Sequence, residues 1–192
     1  MTYAADIVPD RDEALYLIKT HGYIQRDEPF KLASGQLSHD YIDGKLAIDT
    51  GSRLKVVSRA MIELARQQNM DFTDVGGLTM GADPLAHGIA IVADVGWFSV
   101  RKEPKPRGRE QWIEGSQLDH GHRVLLVDDV VTTGGSTVLA YQRVVETGAQ
   151  VIGVIPMVDR GEVARRRFED LGVSYAPLFT YKDIGIAPVD AG

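Results

Sequence analysis

The sequence predicts a three-layer α/β fold, a mainly parallel sheet flanked by helices, and three observations predict it. First, the apolar runs VLLV at 124–127 and VIGVIPMV at 151–158 are strand-length and apolar on both faces, as strands sandwiched between two layers are. Second, each is followed by a helical pattern closed by a glycine, 136–147 before Gly148 and 161–171 before Gly172. Third, strands and helices alternate upstream as well, and parallel neighbours require such crossovers. The composition agrees: 192 residues with 44% hydrophobic and 25% charged side chains are those of an ordinary globular protein. A chain of this length buries roughly 70% of its unfolded surface and needs no disulfide or structural metal to hold a core. With no cysteine, disulfide frameworks, thiolate zinc sites, iron–sulfur clusters and cysteine nucleophiles are all excluded.

In chain order, 11–20 reads as a short helix with Leu15, Leu17 and Ile18 on its apolar stripe and Gly22 as its stop. Turn residues then interrupt two extended pieces, near 29–33 and near 40–43. The segment 52–68 spaces Leu54, Val57, Ala60, Met61, Leu64 and Ala65 along one helical face. A short strand follows, ending in the Gly-rich turn GGLTMGADP at 76–84, and a helix starts near Pro84, a residue suited to a first turn. Residues 97–100 read as a strand. Charged and interrupted by Pro104, Pro106, Gly108 and Gly115, 101–116 has no sustained periodicity and reads as a long mobile loop. Beyond it come the strand 123–127, the helix 136–147, the strand 151–158 and the helix 161–171. With no repeat or linker, the expected organisation is one domain over 1–192.

The net charge of -6 argues against a duplex-DNA surface, because counterion release requires many clustered cations. The N-terminus has acidic residues and no apolar run of signal-peptide length, and no apolar stretch approaches a membrane span. The expectation is a cytoplasmic protein with neither nucleic-acid nor membrane partners. The average charge conceals a local exception: 101–110 holds five cationic residues against two acidic ones.

Chemistry concentrates in VLLVDDVVTTGGSTVLA, 124–140. A buried strand delivers Asp128 and Asp129 at its C-terminal end, the side on which open α/β sheets bind ligands. The following turn, Thr132, Thr133, Gly134, Gly135, Ser136 and Thr137, presents small residues and free N–H groups at a helix N-terminus, which suits a phosphate. The two carboxylates would repel that phosphate unless they face another part of the ligand; ribose hydroxyls, directly or through Mg²⁺, are natural partners. A mere helix cap would require only one such residue. A nucleotide P-loop needs a lysine that this turn lacks, and the dinucleotide glycine spacing is absent. The five histidines are dispersed, which leaves no zinc pair, and His120 and His122 read as turn residues.

The run resembles the PRPP-binding signature of the type I phosphoribosyltransferases: an apolar strand, two acidic residues, two apolar residues and a Thr/Gly/Ser loop. The resemblance implies the type I phosphoribosyltransferase fold with a small N-terminal hood, about 1–45, contributing to the base site. It implies that Thr132 through Thr137 cradle the 5′-phosphate of 5-phosphoribosyl-1-diphosphate, while Asp128 and Asp129 meet the ribose 2′ and 3′ hydroxyls. SVRKEPKPRGREQWIEG, 99–115, resembles the catalytic loop of the orotate phosphoribosyltransferase family, with Arg101, Lys102 and Lys105 in register and Arg107 where that family has histidine. FKLASGQLSHDYIDGK, 30–45, resembles its N-terminal Ser-Gly segment, and VDRGE, 158–162, its Val-Asp-Arg element. The likeness runs from about residue 13 to 181.

The resemblance implies transfer of the phosphoribosyl group of PRPP to orotate, giving orotidine 5′-monophosphate and diphosphate in pyrimidine nucleotide biosynthesis. Lys102, Lys105, Asp128 and Asp129 are then the catalytic set. Arg101, Lys102, Lys105, Arg107, Thr79, Met80 and Gly81 join the cradle in binding PRPP and its diphosphate. Orotate falls to Ser34, Gly35, Tyr41, Thr132 and Arg160, the last as a bidentate cation for its carboxylate. The cofactor is Mg²⁺, held mainly by PRPP with contacts from Asp128 and Asp129. A homodimer sharing loop 101–116 between subunits is also implied. Two positions depart from the pattern. Ala33 stands where many members have lysine, with Lys31 on the opposite strand face. Arg107 keeps positive charge but cannot trade a proton as histidine does. Two alternatives remain open, a phosphoribosyltransferase for another base and a non-catalytic PRPP or nucleotide sensor. Retention of Lys102, Lys105 and both aspartates speaks against the sensor.

Overall fold

The computed structural model describes residues 11–31, 35, 37–104 and 111–189. Its centre is a six-stranded sheet in the order β5-β4-β3-β6-β7-β8. The strands are β3 (Asp74–Leu78), β4 (Gly96–Val100), β5 (Ile113–Gly115), β6 (Arg123–Val131), β7 (Gln150–Asp159) and β8 (Phe179–Thr180). All neighbours are parallel except β4 and β5. The helices are α1 (Arg11–Leu17), α2 (Gly44–Ala47), α3 (Gly51–Gln67), α4 (Asp83–Ala93), α5 (Gly135–Val145), α6 (Val163–Asp170) and α7 (Tyr181–Ile184).

The pleat of β6 explains the three layers. Leu125 and Val127 point into a core shared with Val57 and Met61 of α3 and Leu85 and Ile89 of α4. Val124 and Leu126 point the other way, to Ala140 and Val144 of α5 and Ala164 and Phe168 of α6. Fully buried aliphatic side chains of this size each stabilise the fold by about 1.5–3 kcal/mol, so one strand stitches both helix layers to the sheet.

The expected hood is a separate two-stranded antiparallel ribbon, β1 (Tyr23–Lys31) and β2 (Leu37–Ile42). It is reached from α1 through a π-helical turn, Ile18–Gly22. Ala14, Ile18, Ile42, Ala47 and Ile48 join the α3/α4 core, so the hood region shares the main apolar interior.

The structure corrects several boundaries. Residues 101–116 are not all loop: Ile113–Gly115 form β5, and the Arg101 N–H donates to the Trp112 carbonyl at 2.8 Å. A three-residue edge strand of Ile-Glu-Gly carries no periodicity to read. The strand expected to end at 127 continues to Val131, with Asp128 opposite Pro156 and Val130 opposite Val158. The ladder runs through the carboxylates because Asp128 is satisfied locally, as described below. The extended pieces begin earlier than expected, at Tyr23 and Leu37, and α2, β8 and α7, each of four residues or fewer, were not anticipated. No helix among the described residues is long and apolar enough to cross a membrane.

Candidate active site

A cleft of about 510 Å³ opens at the C-terminal ends of β3 and β6, lined by Lys45, Leu78, Thr79, Met80, Gly81, Lys102 and 128–137. Strand, turn and helix supply its floor in one continuous segment. Gly134 stands at the N-cap of α5 with φ +76° and offers no capping side chain. A β-carbon there would lie 2.9 Å from that of Ala164, so both the left-handed backbone and the approach of α6 require glycine. The first N–H groups of α5 are therefore left for a ligand, beside the exposed Gly135 and Ser136.

Asp128 is buried at 7% exposure. Its Oδ2 accepts from Thr137 Oγ1 at 2.8 Å and its Oδ1 from the Asp129 N–H at 3.0 Å. Burial and the neighbouring Asp129 charge push its pKa up to about 7 against the relief of those hydrogen bonds. Asp129 lies nearer the surface. Its Oδ1 accepts from the Val130 N–H at 2.8 Å, and its Oδ2 stands 3.5 Å from Lys45 Nζ. Partial burial lowers the Lys45 pKa, but Asp129 and Asp43 outweigh it and hold the ammonium above its ordinary range.

The turn after β3 closes the other side. Thr79 donates its N–H to the Val100 carbonyl at 2.8 Å, and the Thr79–Met80 peptide is cis. Asp83, in the first turn of α4, accepts from Thr79 Oγ1 and from Ser99 Oγ, both at 2.7 Å, fixing this turn against β4. A β-carbon at Gly81 would fall 2.5 Å from Asp129 Oδ1, so the turn can meet the acidic pair only as bare backbone.

Of the described residues in the cation-rich segment, Lys102 lines the cleft. Arg101 is turned aside: its Nε donates to the Glu103 carbonyl at 3.1 Å and its Nη1 to Glu114 Oε1 at 3.4 Å. It borders a neighbouring hollow with Thr79, Met80, Ser99 and Lys102. Lys105, Arg107 and Ser34 lie outside the described residues.

At the hood, Gly35 is exposed with φ +91°, and Tyr41 sits half-buried on β2. Arg160 follows β7 and is 2% exposed. Its Nη1 donates to the Asp40 carbonyl at 2.7 Å and its Nη2 to Ser38 Oγ at 3.4 Å, while Nε is buried without a partner. Each terminal nitrogen expected to form a fork for a ligand carboxylate thus gives one of its two N–H groups to the hood. Burial lowers the guanidinium pKa, opposed by Asp40. Behind it, Asp159 accepts from the Gly161 N–H at 3.0 Å and from Tyr175 OH at 2.8 Å, fixing the bend that carries Arg160.

The sequence-derived residues of the turn after β3, of β6 and of the 132–137 turn therefore converge, together with Lys102. Lys45, Asp83 and the Asp159–Tyr175 pair were not foreseen. Lys45 follows Asp-Gly and reads locally as a turn residue; its meeting with Asp129 spans 84 positions.

Residues 47–172 match the phosphoribosyl transferase domain family. An orotate phosphoribosyltransferase of Aquifex aeolicus is 40% identical over 181 residues, covering 91% of this chain and 97% of the relative. The chain belongs to the orotate phosphoribosyltransferase family. A second orotate phosphoribosyltransferase, from Synechocystis, is 37% identical and covers 94% of the chain and 91% of its own length. The crystal structure of Mycobacterium tuberculosis orotate phosphoribosyltransferase in complex with 5-phospho-α-D-ribosyl 1-diphosphate superposes with a TM-score of 0.77 at 33% identity, covering 93% of this chain and 100% of that one. Among orotate phosphoribosyltransferases, then, the likeness extends over both the sheet and the hood rather than the PRPP motif alone.

Proposed function

We propose that this chain transfers the 5-phosphoribosyl group of PRPP to orotate, releasing diphosphate and forming orotidine 5′-monophosphate. The observation that carries the reading is the union, in one cleft, of an uncapped helix N-terminus with two adjacent carboxylates at its foot. The helix end suits a 5′-phosphate and the carboxylates suit ribose hydroxyls, so the cleft fits a phosphorylated ribose from both ends.

In this reading Thr132, Thr133, Gly134, Gly135, Ser136 and Thr137 hold the 5′-phosphate, and Asp128 and Asp129 hold the 2′ and 3′ hydroxyls. Thr79, Met80 and Gly81 present backbone to the diphosphate. Displacement at C1 passes through an oxocarbenium-like state while several negative charges depart, and Lys102, Lys105 and Arg107 oppose those charges. Arg101, bonded to Glu114, stands beside Lys102 and completes the diphosphate-binding cations of this reading. Orotate lies under the hood against Ser34, Gly35, Tyr41 and Thr132. Arg160 is the cation for its carboxylate, through the second N–H that each terminal nitrogen does not give to the hood.

Two adjacent carboxylates are hard oxygen donors suited to Mg²⁺, and no group of three potential ligands stands together among the described residues. That donor set fits an ion held mainly by PRPP, which Asp128 and Asp129 would contact. When bound, the ion supplies positive charge to the diphosphate. The reading further takes the chain as one domain, cytoplasmic, homodimeric and part of pyrimidine nucleotide biosynthesis.

The test follows the loss of orotate absorbance with PRPP and Mg²⁺, then repeats the assay with uracil and purine bases. Consumption of orotate alone is the expected result. Turnover of another base with none of orotate overturns the reading in favour of a different phosphoribosyltransferase.

A further inference from the structure

One cation in the cleft has no task in that reaction. Lys45 is placed by the hood and not by the PRPP motif. Asp43 Oδ1 accepts the N–H groups of Lys45 at 3.0 Å and Leu46 at 3.3 Å, and the Asp43 N–H donates to the Gly22 carbonyl at 2.8 Å. Gly44 presses this turn onto the acidic pair, since a β-carbon there would lie 2.8 Å from that of Asp129. The backbone at Lys45 is thus fixed, while its side chain is 53% exposed and free to swing on a four-carbon stem.

The two oxygens of Asp129 are unequal. Oδ1 is taken by the Val130 N–H and hemmed in by Gly81. Oδ2 is the one left for a ribose hydroxyl, and it is the oxygen beside Lys45 Nζ, at 3.5 Å. A hydroxyl arriving there competes with the ammonium for the same acceptor. The diphosphate sits on C1, next to the carbon bearing the 2′-hydroxyl, whereas the 5′-phosphate lies at the far end of the ribose. The turn 79–81 brings no cation to this place, only exposed Met80 and the bare backbone of Gly81. Among the described residues lining the cleft, Lys45 and Lys102 are the cations.

We infer that Lys45 is a diphosphate-binding residue that exchanges partners: it rests on Asp129 Oδ2 in the empty cleft and turns to the diphosphate oxygens when a ribose hydroxyl takes that carboxylate. This rests on the PRPP-binding reading above and adds to it a specificity element carried by the hood. A ligand with the ribose and 5′-phosphate but no diphosphate makes the first contact without the second, so it separates this role from mere ordering of Asp129.

Calorimetric titration of the full chain with inorganic diphosphate plus Mg²⁺, and separately with ribose 5-phosphate, decides the matter. Lys45→Gln is expected to weaken diphosphate about tenfold, as loss of one charge-assisted hydrogen bond does, and to leave ribose 5-phosphate within about twofold. Lys45→Arg should restore most of the diphosphate affinity. In steady state, Lys45→Gln raises KM for PRPP and leaves KM for orotate unchanged. Equal weakening of both ligands, or no weakening of diphosphate, overturns the inference. A wild-type chain that binds both ligands but fails to turn over orotate refutes the base assignment and leaves the role of Lys45 standing.

Discussion

Asp128 carries the site's largest electrostatic tension among the carboxylates described. Its folded pKa, about 7, stands above an ordinary value of 3.8 because burial and Asp129 disfavour its charge. Between those two values the folded state holds a proton that the unfolded state has released, so the Asp128 contribution to stability falls as pH rises from about 4 to 7 and is flat above. Asparagine fits the same pocket: Oδ1 can still accept the Asp129 N–H, and the amide can donate to Thr137 Oγ1. Asp128→Asn should therefore stabilise the ligand-free protein at pH 8 on the order of a few kcal/mol, with the gain shrinking toward pH 4. Urea unfolding across that range checks it, and a pH-independent difference would count against the buried-charge account. Position 107 supports a second prediction. In the proposed reaction arginine supplies charge to the diphosphate but cannot exchange a proton, so Arg107→His should raise activity near neutral pH; an unchanged or lower rate shows that arginine suffices. Asp128, Asp129 and 132–137 were legible because one strand, turn and helix carry them contiguously. Lys45 and the hood bonds of Arg160 were not, because their partners lie 84 and 120 positions away.

The same contrast separates the elements. Long apolar strands and amphipathic helices announced themselves through periodicity, whereas β5 was hidden because its three residues exist only by pairing with β4. The reach of β6 to Val131 was hidden too, since a strand normally stops where carboxylates begin, and here Thr137 from α5 makes Asp128 tolerable inside the ladder. Element α6 ties the 132–137 turn to the bend that carries Arg160. Ala164 abuts Gly134 in that turn, Phe168 stacks on Tyr175 with centroids 5.4 Å apart, and Tyr175 bonds Asp159 beside Arg160. Burial first, then the Asp159 charge and hydrogen bond, raise the Tyr175 pKa, so its hydroxyl remains a donor at every working pH. Tyr175→Phe leaves a buried carboxylate oxygen unpartnered and should cost about 1–3 kcal/mol in urea unfolding. Because Asp159 fixes the Arg160 bend, the same variant should raise KM for orotate more than KM for PRPP. A change confined to stability would make the pair a packing feature alone.

At the scale of the whole molecule, a net charge of -6 coexists with a segment at 101–110 that carries a local excess of three positive charges. In the proposed homodimer the basic segment has two candidate clefts, its own chain's and its partner's. The hood was legible as two extended pieces and through the family resemblance; its clasp on Arg160 and its delivery of Lys45 emerge from tertiary contacts that no local pattern encodes. Whether the basic segment serves its own cleft or its partner's is open to a mixing experiment. Lys105→Ala disables the segment and Asp128→Ala the cleft, so each homodimer is inactive. If the segment acts across the two-fold axis, each mixed dimer has one site that joins the intact Lys105 of one chain to the intact Asp128 of the other. Random exchange then restores about a quarter of wild-type sites, because half the dimers are mixed and each mixed dimer has one sound site of two. If the segment acts within its own chain, every site keeps a defect and no activity returns. Exchange is verified independently with differently tagged subunits, and the expected result is recovery rising with the mixed fraction.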